Sequence, residues 1–174
     1  MAMQTIHSRR ELVHPARRAS GGISRLTTLL RVADGAWCIA VYRDERRRQA
    51  LSRQLRAALL PLPLIELSLQ NTAPDPLALL QSLPPVAYPA PVVSFTHVGN
   101  ALPALYGYLD TEREALAQLS HRLLFWLKER ELHDLARHAP NFYSRLSGVF
   151  HLDQAATVPL PASKLPAGRG TPPR

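Results

Sequence analysis

With 174 residues, 46% of them hydrophobic and 20% charged, the chain has the size and composition of one globular domain able to bury a core. A single cysteine, Cys38, excludes a disulfide framework and a thiolate metal cluster and makes the cytosol the expected compartment. The net charge of +8 sits at the ends: residues 1–31 carry six Arg against Glu11, residues 159–174 carry Lys164, Arg169 and Arg174 with no acid, and the stretch between balances twelve bases with twelve acids.

Basic ends on a neutral centre attract polyanions weakly and without sequence preference, so nucleic acid is expected only as a non-specific ligand. No apolar run approaches the roughly 18 residues of a membrane helix, and no apolar signal-peptide stretch opens the chain. Residues 1–20 lack sustained periodicity and predict a mobile basic arm; their Arg-rich, acid-poor composition also fits an organelle transit peptide.

Ile23, Leu26, Leu30 and Ala33 recur at helical spacing and predict a short helix stopped at Asp34-Gly35. Trp37 to Tyr42 is an apolar run suited to a strand covered on both faces. Asp44 then caps a helix from Glu45 to Leu60, with Leu51, Leu55, Ala58 and Leu59 inward and Pro61 and Pro63 closing it. Leu64 to Leu69 alternates as an edge or half-covered strand would, with Glu66 and Ser68 pointing away from the core.

Asp75-Pro76 starts the next helix, because the carboxylate accepts orphan amides and proline at the first helical position loses no needed bond. Prolines from Pro84 to Pro91 break it and lead to a strand over Val92–Val98 that ends at Gly99. After a variable loop, Thr111 with Glu114 reads as a capping box for a helix through Leu119. Leu123 to Leu127 predicts a fourth strand, Glu129 to Ala139 a helix with Leu132, Leu135 and Ala136 inward, and Ser147 to Phe150 a fifth strand.

The whole reads as a single α/β domain over residues 21–155, a three-layer sandwich with a mostly parallel sheet of four to five strands, followed by a disordered Pro/Gly-rich tail over 156–174.

In such sheets ligands sit beyond the C-terminal strand ends, which directs attention to Tyr42-Arg43-Asp44-Glu45-Arg46 after the first strand. A phosphate cradle needs glycines and a lysine, and this turn has neither; Asp44 and Glu45 would instead occupy the positive end of the helix dipole. The third strand ends at Thr96-His97-Val98 with no carboxylate for a magnesium ion. His97 reads as an imidazole bonded to a loop carbonyl rather than a reacting group, because no nucleophile or acid motif accompanies it.

His133 and His138 are five apart on one helix, rotated by about 140°, and do not form a chelating pair. Cys38 reads as an inert filler, Phe125 and Trp126 as core residues on opposite faces of a strand, and Arg46-Arg47-Arg48 as a solvated helix face. No catalytic, cofactor-binding or metal-ligating residue is assigned, and no cofactor is expected.

Three stretches carry a family resemblance: Leu109-Asp-Thr-Glu-Arg113-Glu114-Ala-Leu116, His121-Arg-Leu-Leu-Phe125-Trp126-Leu127, and Leu135-Ala-Arg137-His138-Ala139-Pro140-Asn-Phe142-Tyr-Ser144 continuing to Ser147-Gly148-Val149-Phe150. Together they resemble the end of an NTPase-like domain, related to the STAND and NACHT class, found ahead of tetratricopeptide repeats in bacterial signalling proteins. The resemblance extends over roughly residues 23–152 and implies a P-loop-type topology, here without a P-loop and without the repeats. It makes a non-enzymatic interaction or regulatory module, contacting another protein through an apolar patch on the sheet edge or the Thr111 helix, the expected function. A nucleotide-binding switch with an unorthodox loop and a weak nucleic-acid binder acting through its basic ends are the alternatives.

Overall fold

The computed structural model describes residues 22–70, 75–84 and 89–152, so the arm predicted for 1–20 and the tail predicted for 156–174 lie outside the described residues. Five strands, β1 (Trp37–Val41), β2 (Leu64–Ser68), β3 (Val92–Thr96), β4 (Arg122–Leu127) and β5 (Gly148–His151), form one sheet in the order β2-β3-β4-β1-β5. Every pairing is parallel, with Ile39 in register with Phe125 on one side and Val149 on the other.

The helices are α1 (Gly22–Val32), α2 (Glu45–Leu59), α3 (Pro76–Gln81), α4 (Val98–Ala101), α5 (Ala104–Thr111), α6 (Arg113–Gln118), α7 (Glu129–His138) and α8 (Pro140–Ser144). From β1 the chain crosses to the far edge at β2 and then returns strand by strand. Since parallel crossovers are right-handed, the outward connection and the return connections must lie on opposite faces. Accordingly α1 and α2 cover one face and α3 to α8 the other.

Two cores follow from this layering. Leu26, Leu30, Leu51, Leu55 and Leu59 pack on Cys38, Ala40, Leu124 and Trp126. Leu80, Leu105, Leu109, Leu132, Leu135 and Phe142 pack on Ile39, Phe95 and Phe125. Phe125 stacks on Phe95 with centroids 4.9 Å apart and meets Phe142 edge-on at 5.4 Å. The central strands β1, β3 and β4 are buried throughout, with the polar Ser94, Thr96 and Arg122 among their buried residues, while the edge strands β2 and β5 are only partly covered.

Local signals placed most boundaries. Gly35, at φ +67°, makes the turn after α1 that an L side chain rarely adopts. Asp75 caps α3 by accepting from the Ala78 amide at 2.8 Å, and Tyr108 anchors that cap by donating to Asp75 at 2.5 Å and accepting from the Leu77 amide at 3.1 Å.

Four expectations are corrected. β3 stops at Thr96 rather than Val98, because His97 turns left-handed (φ 56°) and Val98 opens α4. Where the sequence suggests a variable loop stand α4 and α5, and Leu105, Tyr106 and Leu109 of α5 are buried; packing overrides the poor local signal of Gly107 inside α5. Thr111 does not cap α6. It ends α5, its hydroxyl donating back to the Gly107 and Tyr108 carbonyls, while Glu114 pairs with Arg145 at 3.2 Å. Finally, Ala58 is exposed, and the buried stripe of α2 is Arg48, Leu51, Ser52, Leu55 and Leu59.

Candidate functional site

β1 and β4 are neighbours whose chains leave toward opposite faces, β1 into α2 and β4 into α7, so their C-terminal ends frame the crevice where open α/β sheets place ligands. The Tyr42 amide ties the two ends together by donating to the Leu127 carbonyl at 3.0 Å. The Tyr42 ring meets Trp126 edge-on at 6.1 Å. Burial, followed by the charges of Glu131 and Glu45, raises the pKa of the Tyr42 phenol.

Tyr42, Arg43 and Asp44 alone separate β1 from α2. Asp44 is extended and accepts from the Arg47 amide at 2.9 Å, so its own carboxylate closes the helix N-terminus. Glu45 is held by Arg48 through Nε at 3.0 Å and Nη2 at 2.7 Å, and this pairing draws the Glu45 carboxyl below its ordinary range. Arg48 is 6% exposed and lies 5.9 Å from the Trp126 ring centroid. The crevice side of α2 is thus filled by an internal ion pair over an indole.

That placement corrects the solvated reading of Arg46-Arg47-Arg48. Arg46 and Arg47 are exposed, but Arg48 lies at helical spacing with Leu51, Ser52 and Leu55 and so falls on the buried stripe. The signal was present in the spacing.

At the end of β3, His97 Nδ1 lies 3.0 Å from Ser68 Oγ and 3.2 Å from Thr96 Oγ1. Two hydroxyls from the tips of β2 and β3, rather than the expected loop carbonyl, hold this ring. Behind it, a cleft of about 450 Å³ runs between α4, α5 and α7, with Tyr106, Arg130, Asp134 and His138 on its walls. Gly99 lines it because a Cβ there would collide with the Glu131 carboxylate, which accepts from the Lys128 amide at 2.7 Å to cap α7.

His133 and His138 are drawn to different partners. His138 stacks on Tyr106 at 5.2 Å, whereas His133 approaches Glu129 at 3.6 Å, a carboxylate that also meets His151 at 3.1 Å. Among the described residues, no group of three or more His, Cys, Asp or Glu could hold a metal ion. Phe125 and Trp126 face opposite cores, as their adjacency in a strand requires.

Burial pushes the Cys38 thiol up to about 12. In the native protein at neutral pH it is expected to react with a disulfide reagent on the order of a thousandfold more slowly than in denaturant. Equal rates in a stopped-flow thiol assay would show that β1 opens readily.

Two functional-looking groups had no sequence signal. Arg122, 3% exposed, donates to the Ala90 carbonyl and to the Asp34 carboxylate at the opposite end of the sheet. Glu66, expected to point away from the core, is indeed exposed, but its carboxylate turns back to Ser52 and Arg48 across the α2 face.

Comparison of the chain with protein-family models, with curated proteins and with solved structures gives no match in any of the three. Among the described residues, no helix is long and apolar enough to cross a membrane.

Proposed function

We propose that this chain is a non-enzymatic interaction or regulatory module of a bacterial signalling system, derived from an NTPase-like domain of the STAND and NACHT class and working in the cytoplasm on another protein. The observation that carries the reading is the closed β1–α2 turn. A bound phosphate needs free amides at a helix N-terminus and an unopposed dipole. Here the Asp44 carboxylate takes the Arg47 amide and Glu45 adds a second negative charge in the first turn. The all-parallel sheet, with β4 inserted between β1 and β3, fits the P-loop-type topology of such a parent.

A contact surface needs exposed apolar side chains. Among the described residues, the large ones are Val32 (75% exposed) and Leu60 (65% exposed), at the ends of α1 and α2 and linked where Arg31 donates to the Leu60 carbonyl at 2.6 Å. This is a different place from the sheet edge and the Thr111 helix, where such a patch was expected.

The test is isothermal titration of the purified chain with ATP, ADP and GTP, each with magnesium. No saturable heat is expected. A dissociation constant below about 100 μM, roughly −5.5 kcal/mol, would overturn the reading in favour of a nucleotide switch.

A further inference from the structure

Between α2 and the edge strand β2 lies a second cleft, of about 240 Å³, lined by Arg48, Gln49, Ser52, Arg53, Arg56 and Glu66. Its floor is polar and deeply placed, since Arg48 and Ser52 are 6% and 5% exposed. Ser52 Oγ donates to Glu66 Oε1 at 2.5 Å, and the same carboxylate lies 3.5 Å from Arg48 Nη1 and 3.6 Å from Arg56 Nη2. Arg56 is steadied by donating from Nη1 to the Leu64 carbonyl at 2.7 Å. A hydroxyl and two guanidiniums converging on one carboxylate form the donor set that recognises an oxyanion.

The charge balance decides which oxyanion. Arg48, Arg53 and Arg56 stand against Glu66 and against Glu45, which Arg48 holds outside the cleft, leaving one positive charge in excess. Another carboxylate in place of Glu66 would leave that excess unchanged, whereas a dianion would cancel it. Glu66 is on an edge strand with its side chain 35% exposed, so a rotamer change releases it to solvent without moving the backbone.

We infer that this cleft is a binding site for a phosphate dianion, free or carried as a monoester, with Glu66 as the internal carboxylate that occupies it in the unliganded protein. The site lies on the flank of α2, apart from the capped N-terminus of that helix, and is independent of the signalling-module reading.

The experiment titrates inorganic phosphate, a phosphoserine peptide and its unphosphorylated counterpart into the full chain, its Glu66→Gln variant and its Arg53→Glu variant at pH 7.5. Glu66→Gln is expected to bind the phosphorylated probes at least about tenfold more tightly than the parent, because the competing charge is gone. Arg53→Glu, a change at an exposed position, is expected to abolish the binding, and the unphosphorylated peptide is expected to give no heat. Tighter binding of the peptide than of inorganic phosphate would identify a phosphorylated side chain as the source, and equal binding would identify free phosphate. Unchanged phosphate affinity in either variant, each checked for a native melting profile, would overturn the proposal. Should Glu66→Gln not fold, an unaltered affinity in Arg53→Glu is by itself enough to overturn it.

Discussion

Replacing Trp126 with alanine is expected to lower the unfolding free energy by about 4 kcal/mol, as large-to-small changes of buried aromatics do. The ring is fully buried in β4, with Leu51, Leu55 and Ala40 in the same core. Its loss removes apolar contact and leaves a cavity that the helices can fill only partly. Two polar consequences add to this. The indole Nε1 donates to Ser94 Oγ at 2.8 Å, and Ser94 is wholly buried, so the serine would lose its partner where water cannot replace it. Arg48 would lose the π-face beneath it. Trp126→Phe keeps most of the volume and should cost only about 1–2 kcal/mol, chiefly the lost hydrogen bond. Urea unfolding with a constant m-value checks both changes. A loss under about 2 kcal/mol for the alanine variant would mean that this core collapses around the gap.

Arg122→Ala is expected to destabilise by about 3 kcal/mol, while Arg122→Met should lose about 1 kcal/mol or less. The side chain is buried at the start of β4, where Nη1 donates to the Ala90 carbonyl at 2.5 Å and Nη2 pairs with Asp34, whose side chain is 52% exposed. Its Nε is buried without an acceptor among the described residues. An orphaned buried donor is itself costly, by about 1–3 kcal/mol, so part of what the two good contacts contribute is already offset. Both changes free the Ala90 carbonyl and remove the orphaned donor, but alanine leaves a void that methionine refills. The order parent, methionine, alanine in denaturation midpoint is the expected result. Equal losses for the two variants would show that the guanidinium bonds outweigh the packing of the stem.

Where local chemistry suffices, the chain is legible. Asp44 and Asp75 announce the starts of α2 and α3, and each carboxylate bonds the amide three residues on. Trp37 to Val41 and Leu123 to Leu127 are apolar without interruption because both faces of those strands are covered. The α5 helix is not legible in the sequence because Pro103 and Gly107 carry loop signals that burial of Leu105 and Leu109 outweighs. Thr111 and Glu114 satisfied a capping pattern, yet the pattern does not say on which side of Thr111 the helix lies; the hydroxyl bonds backward.

The candidate site was less legible than the fold. The absence of a glycine–lysine cradle after β1 is visible in the letters, and so is the spacing that buries Arg48. The partners of His97 and Glu66 are not. Ser68 reaches His97 across 29 positions and Ser52 reaches Glu66 across 14, separations that no local pattern encodes.

By itself, then, the sequence determined the five strands, the helices α1, α2, α3, α6 and α7, the parallel α/β class and the inward positions of most core residues, because periodicity, caps and breakers act within a few residues. The tertiary structure decided the order β2-β3-β4-β1-β5, the union of Asp34 with Arg122 across 88 positions, and the polar cleft between α2 and β2. Those features arise only when right-handed crossovers carry distant segments to one face, where side chains far apart in the sequence meet.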